Sequence, residues 1–413
     1  MKHPVSPGMA EIRPRMLEIL SAAIAAVVPR SSVRQRLEQE DFGDGKVAIV
    51  AIGKAAGVMM RSACDFFGER VTDALLITSP AYANQLPANV KFIPGSHPVP
   101  DQTSLDAGSA LLDFLDAQEP GNRLLFLISG GASAMVEVLE PHVSLEEMQR
   151  ANRWMLANSL DIRQTNLVRK CLSAIKGGKL LRCFDNEALV LLVSDVPGDN
   201  PSDIGSGLLV PDPRIREVQN IELPEWLTTL VRAPGESGPR QNVRVEIIAS
   251  NEIAKSAAAS AARKLGFPVT IHPGSLCGET GEVAERLAEY LAGSAPAGVH
   301  VWGGETSVNL PPEPGTGGRN QQLALQLADR LSGRDSFCFV SAGTDGIDGL
   351  SEDAGAIVDG GTRMRGETRG HDIEDSLTRA DANPFLAASG DLIHLGATGT
   401  NVMDIMLAWK AES

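Results

Sequence analysis

Cysteine is scarce in this chain. Five thiols, Cys64, Cys171, Cys183, Cys277 and Cys338, are scattered over 413 residues, and no two stand in C-x-x-C spacing. That excludes a disulfide framework and a cysteine-based zinc site, and it suits buried thiols in a reducing cytoplasm. Long apolar runs are also missing. None approaches the 18 residues of a membrane-spanning helix, and the opening MKHPVSPGMAEIRPRM has no apolar stretch of a secretory signal. Positive charge is in deficit, with 37 Lys and Arg against 52 Asp and Glu, a formal charge of −15. Nucleic-acid backbones and anionic membrane surfaces are therefore excluded as main partners. A small anionic substrate stays open, because a local pair of cations overrides net charge. The expected location is cytoplasmic.

Several familiar catalytic signatures are absent. There is no G-x-x-x-x-G-K-[ST] phosphate loop, no G-x-S-x-G elbow and no H-E-x-x-H zinc helix. GDGKVA at 43–48 fits G-x-G-x-x-A but precedes its strand, so it is no dinucleotide fingerprint. Ser173 and Lys176 form an S-x-x-K match without its companion motifs, and we assign it no chemistry.

What is present reads as α/β. The length exceeds one ordinary core and predicts two domains. Residues 9–29 show helical periodicity, with Ile12, Met16, Leu20, Ile24 and Val27 on one side. Seven strand-length apolar runs follow, at 47–52, 74–78, 124–128, 188–193, 245–249, 299–302 and 337–341. Near-continuous apolar strands predict a parallel sheet covered by helices on both faces. The segment 250–266 reads as one such helix, capped by Ser250 or Asn251. The stretch 232–243, rich in Gly, Pro and charge, is the candidate linker.

Five of these runs end in glycine with Ser, Thr, Asp, Glu or Lys: GKAAG (53–57), SGGASA (129–134), SDVPGD (194–199), GGETS (303–307) and AGTDGIDG (342–349). Ligands of open α/β sheets bind outside the carboxyl ends of the strands. In SGGASA, Ser129, Gly130, Gly131, Ala132 and Ser133 let backbone amides approach an anion at a helix start; an ordinary tight turn would look alike. Lys54 follows its strand at the start of a helix. Arg319 does the same in GTGGRNQQLALQLADRL (315–331), where a positive charge opposes the helix dipole by ~0.3–1 kcal/mol. Two cations so placed imply an anion nearby. Asp195, after the strand 188–193, suits a magnesium ligand, a proton acceptor or a helix cap. Asp345, Asp348, Glu352 and Asp353 form a dense acidic run without calcium-loop spacing. His97 in GSHPVPD (95–101) is a loop histidine that can line the site. This combination suits phosphoryl transfer, where positioning and charge stabilisation do most of the catalysis.

AIGKAAG, GSHPVPD, LISGGASAM, VSDVPGD, VWGGETSV, GGRNQQLAL, SAGTDGIDG and TGTNVMD occur in that order. The set resembles the type-2 glycerate kinases, whose C-terminal part is the MOFRL domain, over residues 10 to 410. The resemblance implies a Rossmann-like parallel-sheet N-terminal domain (1–237), a smaller α/β MOFRL-type domain (238–413) and an active site in the cleft between them. It implies phosphorylation of D-glycerate to 2-phospho-D-glycerate by ATP with Mg²⁺. The family's essential lysine and arginine fall on Lys54 and Arg319. On that footing Ser129 to Ser133 hold ATP phosphates and Lys54 contacts the transferring group. Arg319 either stabilises that group's charge or clamps the glycerate carboxylate. Glu305 joins Lys54 and Arg319 at the substrate. Asp195 binds magnesium or accepts the hydroxyl proton, and Asp345 is the other acid expected at the metal. One departure is Ala397 in LGATGTNV (395–402), where the family often has proline. D-glycerate and ATP are the expected partners, and a homodimer is compatible with the chain. Some members are labelled hydroxypyruvate reductases, as in tartrate-utilisation operons. An NAD(P)H-dependent reductase is therefore the alternative, although its dinucleotide fingerprint is missing, and a non-catalytic binder of a phosphorylated metabolite is the third reading.

Overall fold

The apolar runs become strands. A computed structural model of the chain describes residues 8–412 apart from 84, 85, 88, 159, 233–239 and 241. The chain forms two compact units, which are taken separately below: residues 29–248, and residues 249–412 together with the N-terminal residues up to 28. The expected boundary at 237/238 lies among 233–239, outside the described residues, as does much of the candidate linker.

The unit 29–248 carries β1 (Val47–Ile52), β2 (Val71–Thr78), β3 (Val90–Pro94), β4 (Arg123–Ile128), β5 (Ala188–Val193) and β6 (Val243–Ala249). They form one sheet in the order β3-β2-β1-β4-β5-β6, and the pairings from β3 through β5 are parallel. Every residue of β1 and β5 is buried, as continuous apolar strands covered on both faces should be. Val50, Phe126, Val190 and Leu111 share one core cluster. A second cluster of Met148, Met155, Val168 and Leu227 holds the helices Leu145–Ala157 and Ile162–Leu172 together. The strand order reverses between β1 and β4. That is the switch point at which doubly wound sheets open a crevice at their carboxyl ends.

The other unit carries β7 (Val269–Ile271), β8 (Leu276–Glu279), β9 (Gly298–Ser307), β10 (Phe337–Gly343), β11 (Gly355–Asp359), β12 (Leu392–Ile393) and β13 (Asp404–Lys410). Their order is β12-β11-β10-β13-β9-β7, with β8 also on β9. The central pairs β9–β13, β13–β10 and β10–β11 are antiparallel, and only β7 and β8 run parallel to β9. The expectation of a parallel sheet therefore fails in this unit. Apolar runs report burial on both faces, which helices provide here whatever the strand direction. The helix Arg319–Arg330 buries Leu323, Leu327 and Leu331 in one cluster with Phe339, Val358 and Met406.

The first helix, Met9–Ala25, belongs to this second unit and packs on the helix Asn251–Lys264 and on β10 and β13. Its expected apolar side is fully realised, with Ile12, Met16, Leu20, Ile24 and Val27 all buried. It stops short of residue 29, because Pro29 opens a separate helix, Pro29–Glu38. Arg13 fastens it to the sheet. Its guanidinium donates to Asp359 at 2.6 Å and Asp391 at 2.7 Å, and Arg365 shares both carboxylates. No single helix among the described residues is long and apolar enough to cross a membrane.

Helix Arg319–Arg330 starts with a cation and has no acid in its first turn. The missing negative charge comes from Asp348, whose carboxylate accepts from the amides of Asn320 at 3.1 Å and Gln321 at 2.8 Å. Gly318 is required there, since a Cβ would collide with Asp348. Burial pushes the Asp348 carboxyl up to about 6 against the pull of these amides, and Asp404 adds to the rise.

Two outcomes are expected. Arg13→Met leaves Asp359 and Asp391 to Arg365 alone and lowers the stability of its unit by about 1–3 kcal/mol, read from the thermal unfolding transition. Asp348, whose folded-state value lies above that of an ordinary carboxyl, binds its proton more tightly folded than unfolded. Its contribution to stability therefore falls as pH rises from about 4 to about 6. Urea unfolding across that range should lose this slope in Asp348→Asn, and parallel curves for the two proteins would contradict it.

Candidate active site

At the switch point of the first sheet, the loops after β1 and β4 are laced together by backbone bonds. Ser129 N–H donates to Ile52 C=O at 3.0 Å, Lys54 N–H to Gly130 C=O at 2.9 Å, and Ala55 N–H to the Ser129 hydroxyl at 3.1 Å. Gly53 is needed for this approach. Its φ is 121°, and a Cβ would collide with Ser129. Gly130 is needed for another reason: a Cβ there would collide with the Asp195 carboxylate at the end of β5. Above Gly131, the space a Cβ would take is walled by His97, the Lys54 stem and Met135, each 3.2 Å away. The ends of β1, β3, β4 and β5 thus bring together Lys54, His97, Ser129–Gly131 and Asp195. Burial lowers the His97 pKa, and the Lys54 charge lowers it further.

The Lys54 ammonium forms no ion pair among the described residues. The buried lysines of the same unit differ. Lys170 pairs with Asp212 at 2.5 Å, Lys176 with Glu137, and Lys179 with Glu140 at 2.7 Å. Ser173 of the S-x-x-K match donates to Glu137 at 2.5 Å. Ser173 and Lys176 therefore satisfy one buried carboxylate, in keeping with the absence of assigned chemistry.

The glycine loop differs in one respect from its expectation. The helix after it is a single turn, Ala132–Met135. It supplies little of the dipole read from the sequence, because a macrodipole needs several aligned turns. Ser129 and Ala132 are buried and serve packing, and Ser133 accepts from the Ser206 hydroxyl at 2.8 Å.

In the second unit, Arg319 lies at the edge of a cavity of about 420 Å³ whose walls include Val308, Leu310, Pro314, Gly318 and Leu350. Its Nε and Nη2 donate to the two carboxylate oxygens of Asp404 at 2.5 and 2.9 Å, and Nη1 lies 3.0 Å from Glu305. Burial alone would lower the Arg319 pKa, but the bond and charge of Asp404 outweigh it and raise it. Asp404 was not singled out by sequence reasoning, although it ends the TGTNVMD motif. Its signal would have been an acid opening an apolar strand, the same pattern reversed that marked Asp195.

The dense acidic run is dispersed by folding. Asp348 caps a helix, as above, and Asp353 accepts from Asn383 at 2.7 Å and pairs with His394. Asp345, half-buried, accepts from the Ile347 amide at 3.2 Å within its own turn. No three of His, Cys, Asp and Glu gather as a metal cage among the described residues. A nucleotide-borne magnesium does not need one, since it takes one or two carboxylates plus phosphate oxygens and water.

Residues 15–224 match the family described as a domain of unknown function, DUF4147, and residues 298–404 match the MOFRL family. The chain is 34% identical to the glycerate 2-kinase of Pyrococcus horikoshii, covering 96% of this chain and 97% of the relative. It is 33% identical to the D-glycerate 2-kinase of Thermotoga maritima, covering 95% and 96%. A putative hydroxypyruvate reductase of Agrobacterium vitis is 34% identical, covering 94% and 92%. The crystal structure of glycerate kinase from Thermotoga maritima superposes with a TM-score of 0.87 at 31% identity, covering 97% of this chain and all of that one. With motifs, fold and full-length similarity in agreement, the chain belongs to the glycerate 2-kinase family with a MOFRL domain.

Proposed function

We propose that this protein transfers the γ-phosphoryl group of ATP to the 2-hydroxyl of D-glycerate. The observation that carries the reading is the Lys54 ammonium, without a carboxylate partner among the described residues, beside the Gly130–Gly131 loop at the sheet's switch point. A cation so placed needs an external anion, and compact ammonium groups suit phosphoryl oxygens. The names of the relatives at 33 and 34% identity support the same activity.

Each residue's part follows from its surroundings. Gly131 clears the approach for phosphate oxygens beside Lys54, Gly130 makes room for Asp195, and Ser129 and Ser133 fix the loop's shape. Lys54 holds an oxygen of the transferring group and offsets its charge. Asp195, beside Gly130, either accepts the proton of the attacking hydroxyl or holds magnesium. Asp345, which accepts from the Ile347 amide within its own turn, is the other acid assigned to the metal. Bound magnesium would neutralise phosphate charge. Arg319, with Glu305, serves the anionic end of the substrate or the phosphoryl charge.

Purified protein mixed with D-glycerate, ATP and Mg²⁺ should give a 2-phosphoglycerate signal in phosphorus NMR and consume no NADH with hydroxypyruvate. NADH loss without the phosphorus signal would establish the reductase instead, and neither signal would leave a binding protein. Lys54→Ala and Arg319→Ala should each lower kcat/KM by about 10³-fold, or ~4 kcal/mol of transition-state stabilisation. The circular dichroism and thermal midpoint of Lys54→Ala should stay near those of the parent, whereas Arg319→Ala, which strips the buried Asp404 of its cation, should also lower the midpoint. Gly130→Ala, which pushes Asp195 aside, should cost about 10²-fold in turnover, and parental turnover in that variant would remove Asp195 from the site.

A further inference from the structure

Arg319 has five N–H donors in a planar fork, and they are divided unequally. The inner edge, Nε and Nη2, forms a two-point bond with Asp404, a carboxylate that is 0% exposed. The outer nitrogen, Nη1, meets Glu305, whose side chain is 52% exposed. An anion arriving from solvent can displace the second partner but cannot reach the first.

The fold is arranged to keep Asp404 where it is. It opens β13 and lies opposite Gly304 on β9 and Gly343 on β10. The residue directly opposite it is thus a glycine on both neighbouring strands. Asn251, itself buried, donates from its side-chain amide to the carbonyls of Val402 and Asp404 at 2.9 Å each, which fixes the strand's first residue. Gly303 makes room for that asparagine, since a Cβ there would collide with its side chain. The helix that carries Arg319 is held in turn by Asp348.

We infer that Asp404 is the positioning residue for Arg319. It locks the inner edge of the guanidinium and leaves the Nη1 edge, paired with Glu305, as the face that receives the substrate's anionic group. Glu305 is the exchangeable counterion of that face. The inference rests on Arg319 taking part in the phosphoryl transfer proposed above. It adds the residue through which the arginine is oriented. Arginine suits this arrangement and lysine does not, because a single ammonium cannot bond both carboxylate oxygens in a plane and present a third donor outward.

The test is a double-mutant cycle with D-glycerate, ATP and Mg²⁺. Asp404→Asn in the parent protein should lower kcat/KM by about 10²-fold. The loss should fall on whichever of kcat and KM carries the Arg319→Ala loss. In the Arg319→Ala background the same substitution should change kcat/KM by less than about threefold, because a residue acting through the arginine has nothing left to orient. Equal losses in both backgrounds, or no loss in the parent, overturn the assignment. Should Asp404→Asn fail to fold, Arg319→Lys decides: a few per cent of parental activity or less supports the fork, and full activity sinks it. A parent protein that leaves D-glycerate unphosphorylated overturns the kinase reading itself. An active parent with equal losses overturns only the role of Asp404.

Discussion

A carboxylate with no solvent exposure is the constraint around which the second unit is organised. Burying Asp404 as an anion costs several kcal/mol unless a cation meets it with good geometry and its remaining oxygens are bonded. Arg319 meets that demand with two parallel bonds. The demand then propagates. The arginine must stand at the first position of its helix, which places a positive charge at the positive end of the dipole. Asp348 must then reach that end from the loop after β10. Glycine must stand at 318 so that Asp348 can approach.

The two units handle positive charge in opposite ways. In the first, the buried lysines Lys170, Lys176 and Lys179 are neutralised inside the protein, and Lys54 alone of these four lacks a carboxylate among the described residues. In the second, Arg319 is 34% exposed and already holds one buried and one exposed partner. A lysine with no carboxylate partner among the described residues leaves its charge available to an anion but carries no orientation. A forked arginine has lost most of its freedom before any ligand arrives, so little entropy remains to be lost on binding. On the function proposed above, a point charge attracts a phosphate and an oriented fork aligns an anionic group, two separate demands of phosphoryl transfer.

Local pattern made much of this legible. The seven apolar runs are strands, because burial on both faces demands unbroken apolar sequence. The ends of β1, β4 and β5 carry Lys54, Ser129–Gly131 and Asp195, because a strand's end is where a side chain leaves the core. Pattern could not see pairings made across the chain. Arg13 meets Asp359 from 346 residues away, and Arg319 meets Asp404 from 85. It also could not tell strand direction, so the second sheet was expected to be parallel. The strand Asp404–Lys410 escaped notice, and with it the buried acid at its start. The acids at 345–353 looked like a metal run because density alone was visible. Folding assigns Asp348 to a helix start and Asp353 to an asparagine and a histidine.

The glycines carry the sharpest lesson about reading strand ends as ligand sites. The five glycine-bearing ends were read together as a ligand site, with SGGASA as its anion loop. At 53 and 130 the space is indeed used between strand ends of the switch point, by Ser129 and Asp195. At 303 and 318 the close neighbours are Asn251 and Asp348, buried side chains of the protein itself. A Cβ at either of these two positions would strike an internal polar group whose hydrogen bonds hold a backbone segment in place. Substitution there should therefore fail through stability, whereas at 130 it should fail through geometry beside Lys54. At all four positions glycine makes room for a group of the protein itself, and what differs is whether that group holds a backbone segment in place or stands at the strand ends beside Lys54.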